Sequence, residues 1–147
     1  MTKMQRRTYP QDPLIGVGAA VFKDRSVLLI KRGNPPLYGS WSLPGGRAKS
    51  DESLEEAVKR EVAEECGIVI DVLDLVKLFE YIERGDEGMV KYHYIVFDFN
   101  AVYKSGRLKH SSDALDSAWA DLDELHRYEL TDAVIDVIRK GEIIRQK

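Results

Sequence analysis

Four carboxylates and one guanidinium stand close together in the middle of the chain: Glu52, Arg60, Glu61, Glu64 and Glu65. Set at about 100° per residue on a helix, Leu54, Ala57, Val58 and Val62 share one arc, the face that packs on a core. Glu61 and Glu65 fall inside that same arc and Glu64 lies at its edge, while Glu55, Glu56, Lys59 and Arg60 lie mostly on the other side. The plainer reading is a solvated acidic face tied by pairs such as Glu56–Arg60. It is the weaker one here. On a half-buried face two carboxylates ~5 Å apart repel by ~3 kcal/mol at an effective dielectric of about 20. Three such groups either raise their own pKa values or recruit a cation. Clustered carboxylate oxygens suit a hard divalent ion such as Mg²⁺ or Mn²⁺, and the spacing is not that of a calcium-binding EF-hand loop.

The elements that must position these residues can be read along the chain. Segments 14–23 and 26–32 read as a hairpin with a turn at Asp24-Arg25. A Pro- and Gly-rich loop over 33–40 leads to a short extended piece at 41–44, and Gly45-Gly46 opens another loop. Ser53 with Glu56 three residues on is a capping box, and Gly67 closes the helix that runs to Cys66. Beyond it the pattern predicts one or two strands over 68–83, a turn at 84–88, a long strand over 89–103, a polar loop over 104–113 and a short strand over 116–122 around Trp119. A helical turn at 122–128 precedes a last helix capped by Thr131, with Gly141 after it. Mixed strands with two helices predict an α/β (α+β) domain, helices packed on a mixed sheet. The division is an N-terminal arm over 1–13, one domain over 14–141 and a tail over 142–147.

Composition narrows the function. The 147 residues are 44% apolar and carry 22 Lys+Arg against 25 Asp+Glu, a net of −3. That balance argues against a general grip on a nucleic-acid polymer. No run approaches the ~20 apolar residues of a membrane span, and the first thirteen residues lack the apolar core of a signal peptide. Cys66 is the one cysteine, so neither an intrachain disulfide nor a cysteine-based zinc site is supported, and a reducing cytoplasm is the expected location.

Read together, Gly46, Glu52, Arg60-Glu61-Val62, Glu64-Glu65, Gly67 and Ile68 reproduce G-x5-E-x7-R-E-U-x-E-E-x-G-U, with U a bulky aliphatic. With every spaced position filled, the chain resembles the Nudix hydrolases. The flanking segments (VLLIKRG, the run Gly39 to Gly46, and Asp113 to Trp119) look like the ADP-ribose pyrophosphatase-like branch. Asp51 stands where many relatives have glycine, which predicts a shifted loop rather than a dead site.

The resemblance implies an α/β/α sandwich, a mixed sheet with helices on both sides. It also implies hydrolysis, with Mg²⁺ or Mn²⁺, of the pyrophosphate bond in a nucleoside diphosphate linked to another group, such as ADP-ribose or a related nucleotide sugar. A (deoxy)nucleoside triphosphate pyrophosphohydrolase is the alternative, and a non-catalytic nucleotide-binding module is a third reading. By similarity Glu61 and Glu65 are the principal metal ligands, with Glu64 beside them as ligand or base and the Gly45 carbonyl as a further ligand. Glu52 and Arg60 pair to hold the loop, and Gly46 and Gly67 shape the motif. Asp113 is the expected fourth carboxylate, ahead of Asp116 and Glu83. Arg32 and Arg47 are candidates for meeting phosphate, or are surface charges. Trp41, Tyr81, Tyr92 and Tyr94 could stack on a base or belong to the core. Many relatives are homodimers, and the arm could exchange between subunits.

Overall fold

The structure is a computed structural model and describes residues 7–109, 111 and 114–145. Its centre is β1 (Leu14–Lys23). This strand forms a hairpin with β2 (Ser26–Arg32), but the two pair only near the turn, at Phe22↔Val27 and Lys23↔Ser26. There they part. β1 takes up β4 (Gly45–Arg47) antiparallel, at Gly16↔Arg47, Val17↔Gly46 and Gly18↔Gly45. β2 takes β3 (Trp41–Ser42) and β7 (Ala114–Asp121). On its other side β1 runs parallel to β6 (Val90–Gly106), from Leu14↔Tyr94 to Phe22↔Val102. β5 (Ile68–Arg84) pairs antiparallel with β6 and forms the outer edge of the seven-stranded sheet.

β1 reads as a near-continuous apolar run because both its faces are covered. Val17, Ala19 and Val21 turn to one core, shared with Leu28, Ile30 and the buried face of α1 (Leu54–Cys66). Ala20 and Phe22 turn to a second core with Val27, Leu29 and, from α2 (Asp132–Arg145), Val137 and Ile138. The molecule is therefore an α/β/α sandwich on a mixed sheet. Among the described residues no helix is long and apolar enough to cross a membrane.

Capping residues set both ends of α1. The Ser53 hydroxyl accepts from the Glu56 N–H at 3.1 Å, and Gly67, at φ 74°, donates its N–H to the Ala63 carbonyl at 2.9 Å. A side chain at that left-handed position would be strained. In α2 the Thr131 hydroxyl accepts from Val134 N–H at 3.3 Å.

Residues 68–84 make one strand, one of the two outcomes expected there. Three local expectations are corrected. Gly45-Gly46 does not open a loop but begins β4, because β1 offers it a partner edge. β6 continues past Tyr103 to Gly106, into the expected polar loop. α2 does not stop at Gly141 but runs through it to Arg145, so 142–145 are helix rather than tail. The reason lies in the sheet. Asn100 donates from Nδ2 to the Gly141 carbonyl at 3.0 Å, and a Cβ at 141 would overlap Asn100 Oδ1 and crowd the Phe22 ring. Gly141 is there for close approach of helix to sheet, not for a helix end.

Candidate active site

The acidic cluster is built where the amino end of β4, the loop after it and α1 meet. Arg60 is its hub. Its Nε and one terminal nitrogen grip the two oxygens of Glu52 at 3.0 and 2.7 Å. The same terminal nitrogen reaches the Arg47 carbonyl at 2.9 Å. The other donates to Glu61 at 2.9 Å and to Glu64 at 3.2 Å. Glu52 also accepts the Lys49 N–H at 2.9 Å, so the segment between β4 and α1 is tied at several points. The Arg60 hydrogen bonds drive the Glu52 carboxyl down to about 2, and the same bonds hold the Arg60 guanidinium firmly charged. Arg60 thus turns away from Glu56, toward the motif carboxylates.

The other glutamates divide by exposure. Glu61 is largely enclosed (16% side-chain exposure) and lies over Gly46, where any Cβ would overlap its carboxylate. Glu65 accepts the Gly45 N–H at 2.8 Å, which joins the helix directly to the Gly-Gly strand. Glu64 is 58% exposed. Gly45 is held against β1, since a Cβ there would overlap the Val17 carbonyl. Arg60 and Glu52 thus tie the segment between β4 and α1, and Glu61 and Glu65 meet the Gly45-Gly46 strand.

Among the described residues no three His, Cys, Asp or Glu side chains converge as a ready-made ion site. Arg60 draws Glu61 and Glu64 to itself, and Glu65 turns to Gly45. The chemistry of the donor set still suits a hard divalent ion. The donors are all oxygens, and three carboxylates share one guanidinium while the fourth, Glu65, bonds the Gly45 N–H, leaving surplus negative charge.

The remaining candidates scatter. Asp113 lies outside the described residues. Asp116 is exposed on β7 and accepts the N–H of its neighbour Ser117. Glu83 accepts from the Tyr81 hydroxyl at 3.0 Å. The Arg32 Nε is bonded to the Pro36 carbonyl at 2.7 Å and braces the loop after β2. Trp41 meets Tyr128 edge-on at 5.1 Å, on the second core. Arg47 follows Gly46 along β4, so it alternates to the face opposite α1. Cys66 is buried, which pushes its thiol up to about 12 and leaves it unreactive.

One residue of interest is absent from the motif. Asp98 on β6 is 5% exposed, and burial raises its carboxyl to about 6. Asp98 and Asn100 alternate with Phe97 and Phe99 along β6, a pattern that by itself reads as an ordinary polar strand face, and both are buried, Asn100 against α2 and Asp98 against Gly18.

Comparison with known proteins agrees with this geometry. A family model described as the NUDIX domain matches residues 12–140. The chain is 37% identical over 113 residues to an ADP-ribose pyrophosphatase of Methanocaldococcus jannaschii, an alignment covering 77% of this chain and 64% of that protein. A MutT NUDIX hydrolase of Burkholderia pseudomallei superposes with a TM-score of 0.76 at 31% identity, over 88% of this chain and 98% of that one. The NUDIX domain of Shewanella oneidensis NrtR, solved with ADP-ribose, superposes with a TM-score of 0.71 at 25% identity, covering 93% and 90%. The chain belongs to the NUDIX hydrolase family. It spans just under two thirds of the archaeal relative's length.

Proposed function

We propose that the chain hydrolyses the diphosphate bridge of ADP-ribose or a closely related nucleoside diphosphate sugar, with Mg²⁺ or Mn²⁺. The observation that carries this reading is the placement of Glu61 and Glu65 against the Gly45-Gly46 strand by the Arg60–Glu52 clamp. The archaeal pyrophosphatase, 37% identical, favours the ADP-ribose substrate.

Glu61, Glu65 and the Gly45 carbonyl would hold the ion, with Glu64 beside them. A bound divalent ion supplies charge neutralisation for the phosphates and lowers the pKa of the attacking water. The chain's own part is placement. Arg60 fixes the helix to the strand and, by holding Glu52, keeps the intervening segment in register. Glu64, the exposed carboxylate, would leave Arg60, which it meets at 3.2 Å, to turn toward water and take its proton. Asp113, just before β7, is proposed as a further carboxylate. Arg47, and Arg32 if it leaves the Pro36 carbonyl, would meet phosphate. Trp41 would contact the nucleoside.

Two features of the wider molecule extend the proposal. The outer strand β5 exposes Leu73, Leu75, Leu78 and Ile82, a surface suited to a second copy of the chain. A reducing cytoplasm suits a chain whose one cysteine, Cys66, is a buried thiol.

Phosphorus NMR of the reaction with Mg²⁺ tests the substrate class. Water adds to one phosphorus as the P–O–P bridge breaks, so ADP-ribose yields AMP and ribose 5-phosphate. Glu65→Gln is expected to lose more than roughly 100-fold in kcat, beyond the 10–100-fold typical of residues that merely support metal ligands. Turnover confined to triphosphates, with inorganic pyrophosphate as product, would replace the substrate assignment. Full activity in Glu65→Gln would remove the site assignment.

A further inference from the structure

Asp98 is almost entirely buried, yet none of the described residues forms a hydrogen bond with its carboxyl. The one charge that reaches it is Lys77, whose ammonium is already bonded to Asp136 at 2.7 Å. The sealed, unpartnered side-chain atom among the described residues is Asn100 Oδ1, so the Asp98 carboxyl, unbonded but not sealed, stays open to a donor from outside the chain. The surroundings indicate what that is. Asp98 Oδ1 lies directly over Gly18, where a Cβ would overlap it, and Gly16 beside it carries no side chain either. Both glycines are themselves buried, the space of their missing side chains taken by Asp98, Val96 and Tyr94. Cross-strand register puts Phe79, Tyr81 and Tyr94 on the same face, each half-buried, so the Asp98 carboxyl is flanked by flat rings.

We propose that Asp98 selects the base of the substrate, accepting a hydrogen bond from a ring N–H or amino group of a nucleobase laid on the sheet face opposite α1. This rests on the reading above for the ligand being a nucleotide. The placement agrees with it. Asp98 pairs with Gly18, and Gly18 pairs with Gly45, whose N–H is held by Glu65. Only β1 separates the buried carboxyl from the glycine at the acidic cluster, two strand spacings or about 10 Å. A nucleotide bridges such a gap with its base at one end and its phosphates at the other. Near neutral pH the carboxyl is mainly ionised, which makes it an acceptor only.

The test uses the intact chain and two readouts. Calorimetric titration with AMP, GMP, CMP and UMP gives base preference without turnover. The kcat/KM values for the corresponding nucleoside diphosphate sugars, with Mg²⁺, give it during turnover. Wild type is expected to favour one base at least tenfold. Asp98→Asn keeps the shape but presents an N–H, and it should weaken that nucleotide about tenfold and cut the preference below threefold. Asp98→Ser should do the same, with circular dichroism confirming the fold of both. A wild type that binds all four equally, or a variant that keeps the preference, overturns the inference. Base-selective binding lost in Asp98→Asn, in a chain that cleaves no diphosphate bridge, would refute the hydrolase reading and leave this one standing.

Discussion

Burial costs the ionised Asp98 carboxylate its hydration and raises its pKa from 3.8 to about 6. A carboxyl that holds its proton more tightly when folded than when unfolded makes stability fall as pH rises between those values, because the folded chain binds more protons in that window. Below pH 3.8 the cost is absent, and above about 6 it is fully present. Asp98→Asn has no such dependence. Thermal melts should therefore show the variant gaining about 2–3 kcal/mol over wild type at pH 7.5, and nothing at pH 3.5. A gain that persists in acid would show that the cost is steric rather than one of charge. Asp98 illustrates what a linear reading could not see. The spacing of Glu52, Arg60, Glu61, Glu64 and Glu65 was legible because it follows one helix and the turn before it, where neighbours in space are neighbours in sequence. Asp98 becomes unusual only when Gly18, eighty residues earlier, and Lys77 close around it.

At the scale of elements, α1 was legible to the residue because Ser53 and Gly67 punctuate it locally. The end of α2 was not. Gly141 looks like a helix stop, and its meaning comes from Asn100 across the interface. Local sequence cannot tell a glycine needed for its backbone from one needed for its missing side chain. Gly141→Ala separates the two. In an unobstructed helix interior, alanine stabilises by about 1 kcal/mol. Here the added methyl meets Asn100 Oδ1 and the Phe22 ring, and overpacking of that kind costs about 1–3 kcal/mol. Urea denaturation should show a net loss of up to about 2 kcal/mol, and Asn100→Ala should recover part of it in the double variant. Simple stabilisation by Gly141→Ala would mean that the contact yields without cost. β4 makes the same point: Gly45-Gly46 resembles a loop until β1 supplies a partner edge.

At the scale of the molecule, helices packed on a mixed sheet were legible from the order of strands and helices, the sandwich came from the family resemblance, and the apolar outer strand was not legible. Leu78 (55% exposed) and Ile82 (45%) share one face of β5 with Glu80 between them, and none of the described residues covers them. A homodimer through this edge predicts light-scattering mass at twice the 16.7 kDa chain. Leu78→Glu should convert it to monomer with its thermal melt still cooperative, because Leu78 contributes little to the chain's own core. A wild-type monomer at tens of micromolar would place the partner elsewhere.

The parallel pairing of β1 with β6 has a consequence for biosynthesis. The amino-terminal strand that centres the sheet finds this neighbour only in residues 94–102. While a ribosome is still making the intervening seventy residues, one long side of that apolar strand has nothing to bond. The nascent chain must keep it from other chains until the late strand emerges. Gly16 and Gly18 lower the intrinsic stickiness of the waiting segment, so the glycine that makes room for the Asp98 carboxyl also protects the polypeptide before it is complete.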